Sequence, residues 1–383
     1  EQIFEEVNRL QQFYINNYEK YNLEQVLKEG LVEGLGEFEI NKFIADTCAT
    51  LISREPDFNK LAVEFELKNI YLLAGNDYLE CVEKQNQFNL LSKEYYEFVK
   101  DNINDLNKIL VSSRDKLIDY FGLKTLERSY LLKNKSKEFI ETPQMMFMRC
   151  AIQIHGLYIY SYPTDKDVKI IELITETYNL MSQLYFTHAT PTLFNSGRTY
   201  PQLSSCYLLQ MSDDLDGISK SISDVMKISK WAGGIGINLS DIRSSGSVIK
   251  SNGGTSNGII PLCKVLESVA RYINQSGLRA GSVAVYIEPW CADIFEFIEL
   301  RKNTGDENLK ARDLFLALWI PDAFMKAVES DSSWYLMSSD VSTGLTECYG
   351  EQFNQLYWSY VQQGKYIKEV KARELMTKII ESQ

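Results

Sequence analysis

Residues 204–237 read SSCYLLQMSDDLDGISKSISDVMKISKWAGGIGI, and their texture decides the fold class. Cys206 to Leu209 predicts a short strand. Asp213 and Asp214 then stand where a helix N-cap belongs, because a carboxylate accepts hydrogen bonds from the unpaired N–H groups of a first turn. Ile218, Ile222, Val225 and Ile228 follow at helical spacing and put one apolar stripe on a helix that ends near Trp231, before a glycine-rich run. The same alternation continues downstream. A second helix is expected after Pro261, through Leu262, Val265, Leu266, Val269 and Tyr272. Val283 to Ile287 and Leu314 to Ile320 read as buried strands, the second closed by Pro321. From about Tyr200 onward the chain is therefore expected to be an α/β domain.

Upstream the period changes. The first 140 residues read as helices, with Ile3, Phe4, Val7 and Leu10, and again Leu61, Phe65 and Ile70, on apolar faces. Glu1 already lies inside such a pattern, and the helix-like run from Ala372 to Ile380 reaches Gln383 without a cap, so a piece of a longer chain is expected. At about 150 residues per domain, 383 residues predict two or three domains. A composition 45% hydrophobic and 24% charged excludes disordered and collagen-like chains. Apolar runs fall far short of the ~20 residues of a membrane span, and no charged-then-apolar leader opens the chain, so a cytoplasmic protein without a membrane partner is expected.

Charge and residue counts narrow the chemistry. The net charge is −12 and no basic stripe is visible, which argues against DNA or RNA as partners. Seven widely spaced cysteines without a C-x-x-C fit a reducing compartment. Only His155 and His188 are present, so His-rich zinc sites are excluded and no metal-ligand cluster is expected. Cysteine or carboxylate chemistry stays open. Trp231-Ala-Gly-Gly-Ile-Gly-Ile237 lacks the full dinucleotide fingerprint and the acidic residue about twenty positions on. Its glycines either let backbone pass close to a neighbour or present N–H groups to a phosphate. The segments 241–247 and 251–258 combine hydroxyls, glycines and one arginine, a composition that suits an anion cradle or a flexible connection. Cys206, at the start of a strand, is by default a small buried hydrophobe.

Several ordered motifs change these weights. They are Ala189-Thr-Pro-Thr-Leu-Phe-Asn-Ser-Gly197, Pro201-Gln-Leu-Ser-Ser-Cys206, Ala232-Gly-Gly-Ile-Gly-Ile-Asn-Leu-Ser-Asp-Ile-Arg243, Tyr286-Ile-Glu-Pro-Trp290 and Ala311-Arg-Asp-Leu-Phe-Leu-Ala-Leu-Trp-Ile-Pro-Asp322. Upstream, Phe121-Gly-Leu-Lys-Thr-Leu-Glu-Arg-Ser-Tyr-Leu-Leu132 and Thr142-Pro-Gln144 extend the pattern. Together they resemble the large subunit of class I ribonucleotide reductase, eukaryotic or viral in type, over nearly the whole chain. The resemblance implies an α/β fold: a partial ATP-cone at 1–75, a helical domain at 76–199, and the N-terminal half of a ten-stranded α/β barrel at 200–383.

The family replaces the ribose 2′-hydroxyl of a ribonucleoside diphosphate with hydrogen, using a thiyl radical and a reducing pair of thiols. Sulfur suits both tasks. By resemblance, Cys206 is one of the redox-active thiols. Its partner and the radical cysteine belong to a segment beyond Gln383, so this chain is expected to be inactive alone. Thr190, Ser205, Gly233 and Gly234 fall on substrate contacts, with close packing as the other reading of the glycines. Asp214, Lys230 and Arg243 match the allosteric specificity site, the aspartate for ribose and the cations for a triphosphate. Gln275 and Arg279 lie in the effector relay loop, which is one residue shorter here than in close relatives.

The implied ligands and partners are ATP, dATP, dTTP and dGTP as effectors with Mg2+, a small subunit that supplies the radical from a dinuclear metal site and a tyrosyl radical, and thioredoxin or glutaredoxin as reductant. No covalently bound cofactor is expected. A homodimer is expected through the helices Ser219 to Lys230 and Leu262 to Ile273. The cone carries Ala62 in its motif but has Asn41 and Leu72 where relatives carry an aspartate and a lysine, so discrimination between ATP and dATP is expected to be weak. The alternatives are a catalytically inactive paralogue that binds nucleotides or scaffolds, and a cobalamin-dependent or glycyl-radical relative.

Overall fold

Helical spacing upstream becomes helices. In the computed structural model, which describes residues 2–16, 18–21, 23–32, 34–157, 169–231, 233–273 and 282–382, the chain divides into two units, Glu1–Leu203 and Ser204–Gln383. The first unit opens with α1 (Gln2–Tyr14), α2 (Leu23–Gly30), α3 (Glu37–Leu51) and α4 (Phe58–Ala74). Leu61, Phe65 and Ile70 are fully buried on α4, which packs along α3. Asn41 is also buried, on α3, and its Nδ2 has no hydrogen-bond partner, while Leu72 on α4 is half exposed.

Side-chain caps start the helices that follow. Asp77, Ser92, Asp119 and Thr142 each accept from the N–H three residues on, at the heads of α5 (Tyr78–Gln87), α6 (Lys93–Ile109), α7 (Tyr120–Ser129) and α8 (Pro143–Ala151). After α9 (Ile170–Ser182) and α10 (Thr190–Asn195), a buried ion pair fixes the end of the unit. Arg149, on α8, meets Glu141 at 2.6 Å and 2.9 Å and also donates to the carbonyls of Leu193 and Ser196. Both side chains are 1% exposed, so removing either would strand a charge.

In the second unit, β1 (Cys206–Gln210), α11 (Leu215–Lys230), β2 (Gly234–Asn238), α12 (Ile259–Ile273), β3 (Ser282–Ile287), α13 (Ile294–Ile298) and β4 (Phe315–Leu318) build one parallel sheet in the order β1-β2-β3-β4. Parallel strands need crossovers, and α11 and α12 supply them and cover one face. Then come α14 (Asp322–Ser330), β5 (Ser333–Leu336), α15 (Gly350–Gln362), β6 (Lys368–Lys371) and α16 (Ala372–Glu381), with β5 and β6 paired antiparallel. No described helix is long and apolar enough to cross a membrane.

Two expectations are corrected. α12 begins at Ile259, not after Pro261; a proline is tolerated there because the N–H groups of a first turn have no helical partner. The run Leu314 to Ile320 is not a buried strand. Only Phe315–Leu318 is strand, and Phe315, Trp319 and Ile320 are exposed because β4 is the edge of the sheet among the described residues. The stripe Ile218, Ile222, Val225 and Ile228 packs onto the core of its own unit; Leu215, Met226, Val265 and Tyr272 are the large apolar side chains that α11 and α12 leave exposed.

Candidate functional site

Strand parity builds the site. Ile235, Ile237, Val283, Val285 and Ile287 point to the helix-covered side and are no more than 3% exposed. The opposite face holds mostly small and polar side chains, with Leu208 and Tyr286 the large ones: Cys206, Gly234 and Ser282 stand in one register row, Leu208, Gly236 and Ala284 in the next, and Gln210, Asn238 and Tyr286 in the third. Cys206 is exposed on this open face, whereas Cys48, Cys81, Cys150, Cys263 and Cys291 are buried and Cys348 is intermediate. The default reading of Cys206 as a buried hydrophobe is thus overturned, because position 206 falls on the uncovered face.

Its neighbours are fixed by backbone. The Ser205 carbonyl accepts from the Gly234 N–H at 2.7 Å, and the Ser205 hydroxyl donates to the Cys206 sulfur at 3.4 Å. A Cβ built at Gly234 would lie 3.4 Å from the Ser205 carbonyl oxygen and 4.0 Å from Cys206 Sγ, ordinary contact distances. One built at Gly233 would lie 2.6 Å from Ile228 Cγ2 and 2.8 Å from the Tyr207 ring, so packing alone requires a glycine at 233. Thr190 belongs to the first unit, at the head of α10, where its hydroxyl pairs with that of Tyr130 at 3.2 Å.

A second cluster forms around the start of α11. Asp214 is its N-cap, accepting from the Gly217 N–H at 2.8 Å; that bond and the Ser212 hydroxyl hold its carboxyl below the usual range. Arg243 joins it through Asp213, with Nε 2.6 Å from the carboxylate. Lys230 does not. It ends the same helix, about 24 Å along the axis from Asp214 at 1.5 Å per residue, with its ammonium 5.4 Å from the centre of the Trp231 ring. The segment 244–258 is no loose connection: Gly246 N–H reaches the Ser256 carbonyl, Ser256 N–H the Ser247 carbonyl and Ile249 N–H the Gly254 carbonyl, at 2.7–2.9 Å. Gln275 and Arg279 lie outside the described residues.

Sequence reasoning missed two buried acids. Glu288, just after β3, receives the Trp290 indole N–H at 2.8 Å; burial, and to a lesser extent the nearby Asp241, push its carboxyl up to about 7. Asp293 receives backbone N–H groups from residues far away in sequence. Glu288 lies inside the quoted motif 286–290, and Asp293 stands before a short helix, but neither signal names a partner. Among the described residues, no three His, Cys, Asp or Glu side chains converge as a metal site.

A helical unit followed by a parallel sheet with one helix-covered and one open face defines the class: a mixed α/β protein built as part of a barrel. Two family models match it: the ribonucleotide reductase all-alpha domain over residues 116–201 and the ribonucleotide reductase barrel domain over residues 204–383. The chain belongs to the ribonucleotide reductase large-subunit family. It is 45% identical over 365 residues to a ribonucleoside-diphosphate reductase large subunit of Caenorhabditis elegans, covering 92% of this chain and 45% of that protein. To the large subunit of Plasmodium falciparum (isolate Dd2) it is 42% identical over 393 residues, covering 100% and 47%. With large chain 2 of Saccharomyces cerevisiae it shares 40% identity over 379 residues, covering 96% and 42%. The chain therefore spans less than half the length of these relatives.

Proposed function

We propose that this chain is the N-terminal part of a ribonucleoside-diphosphate reductase large subunit, which converts ribonucleoside diphosphates to 2′-deoxyribonucleoside diphosphates under nucleotide control. The observation that carries this reading is Cys206, the exposed cysteine in a register row with Gly234 and Ser282. There its thiol can meet a ribose and later form a disulfide with a second thiol from the rest of the complete protein, delivering two electrons. Ser205 offers a hydroxyl to the nucleotide, and Gly234 leaves room for it beside the sulfur; Thr190, in the first unit, keeps its role as a substrate contact by family resemblance alone. In the family the initiating radical comes from a small subunit with a dinuclear metal site and a tyrosyl radical, and thioredoxin or glutaredoxin restores the dithiol.

The specificity effector, a dNTP or ATP with Mg2+, would be held by Asp214 at its ribose and by Arg243 and Lys230 at its phosphates. Because a helix length separates Asp214 from Lys230, one nucleotide can touch both only when two protomers contribute, which supports a homodimer across α11 and α12. Gln275 and Arg279 would relay effector identity. Residues 1–75 would form a partial ATP-cone, with 76–199 as a helical domain and 200–383 as the half-barrel. With Asn41 and Leu72 in place of a carboxylate and a cation, its response to dATP should be weak. A cytoplasmic location fits the reduced cysteines.

The test pairs the complete large subunit with its small subunit. Dithiol-dependent reduction of a ribonucleoside diphosphate, with a dimer in sedimentation that tightens on adding dTTP, is the expected result. Nucleotide binding without any reduction would instead favour the inactive paralogue.

A further inference from the structure

Asp293 stands at the N-cap of α13, where an aspartate ordinarily turns its carboxylate onto its own helix. No such bond is made. Instead Oδ1 accepts from the Ser245 N–H at 3.0 Å and Oδ2 from the Ile259 N–H at 3.1 Å. Ser245 lies at the opening of the segment 244–258, and Ile259 is the first residue of α12. One carboxylate therefore closes both ends of that segment and caps a helix from another element. Gly258 is shaped to it: its φ is +69°, and a Cβ there would lie 2.3 Å from Asp293 Oδ2 and 2.7 Å from the Ser245 nitrogen. Asp293 is 7% and Ile259 3% exposed, so the Ile259 N–H deprived of this acceptor would find little water to replace it, whereas Ser245 sits at the surface. The base of the latch is itself fixed, since the Ala292 N–H donates to the Met337 carbonyl at 2.9 Å.

We propose that Asp293 is a positioning residue that holds the segment 244–258, and Arg243 at its entrance, in the shape the specificity effector meets. This rests on the effector site proposed above. The latch joins this segment to the chain leaving β3, two strands from Cys206 on β1. Without it, only a fraction of molecules keep the loop in the competent shape, and apparent effector affinity falls by that fraction. Saturating effector restores the shape, so the half-saturating concentration moves and the maximal rate does not.

The experiment uses the complete large subunit with its small subunit, carrying Asp293→Asn or, from the loop side, Gly258→Ala. Ribonucleoside diphosphate reduction is followed across a dTTP titration, and backbone amide exchange is measured over residues 244–266. The expected result is a half-saturating dTTP concentration about tenfold higher, the maximal rate retained, and faster exchange at Ser245 and Ile259. An unmoved titration, an equal fall in maximal rate, or failure of both variants to fold would overturn the proposal. If the unaltered protein does not respond to dTTP, the effector reading itself fails. Exchange then decides the latch alone, with unchanged rates removing it and faster rates keeping its hold on the loop.

Discussion

Arg243 and Asp213 form an ion pair across the entrance to the segment 244–258, with Nε 2.6 Å from the carboxylate and Nη1 3.1 Å from the Val248 carbonyl. The pair is about a quarter exposed, so it adds no more than about 1 kcal/mol to stability. Its consequence is placement: the guanidinium is parked one residue from Asp214. Arg243→Ala should weaken dTTP binding by roughly ten- to a hundredfold in the complete large subunit, the loss expected for a charge-assisted bond to phosphate. Asp213→Asn keeps the cation and should cost only a few-fold. Calorimetry separates the two, and equal affinities in all three proteins would remove Arg243 from the site.

Cys206→Ser should abolish sustained turnover with a dithiol reductant while dTTP binding persists. The exposed Cys206 should also alkylate before the buried thiols, since burial pushes Cys48, Cys81 and Cys263 up to about 12 and Cys150 to about 11. Mass spectrometry of briefly alkylated protein reads the order. Early labelling at Cys150 or Cys263 would contradict the fold.

The adjacent glycines should behave differently. Gly233→Ala drives a methyl into Ile228 and Tyr207 and should destabilise the second unit by about 1–3 kcal/mol in a denaturant titration. Gly234→Ala has space, so stability should hold while the methyl, 4.0 Å from the Cys206 sulfur, raises KM for the substrate. The reverse pattern would reassign the two positions.

Stability should also carry a pH signature. Lys124 bridges Glu66 on α4 and Glu127 on α7 at 3.1 Å and 2.8 Å. Burial first, and then the adjoining Glu66 carboxyl, push Glu127 from 4.5 up to about 8. The folded chain thus keeps a proton that the unfolded chain releases, so this group's contribution is complete below about pH 4.5 and is lost as pH rises towards 8. Glu127→Gln stays neutral throughout. Melting temperatures at pH 5, 6.5 and 8 should show the variant gaining on the unaltered protein as pH rises, and a constant difference would show that Glu127 is ionised in the fold.

Local order was legible because its causes are local. Periods of 3.6 and 2 placed α4, α11, β1 and β3, Asp214 was readable as an N-cap, and the motifs from Ala189 to Asp322 carried the family. Tertiary structure decided what the spacing left open. Alternation divides the residues of β1 between two faces, but only α11 and α12, lying on one of them, make Cys206 an exposed thiol rather than a core cysteine. Arg243 reaches Asp213 across 30 residues, and Asp293 reaches Ile259 across 34 and Ser245 across 48. A carboxylate in the sequence announces that it needs hydrogen-bond donors. Which donors it receives depends on how the sheet and its crossovers pack, because burial makes an unmet N–H costly wherever the chain happens to bring it.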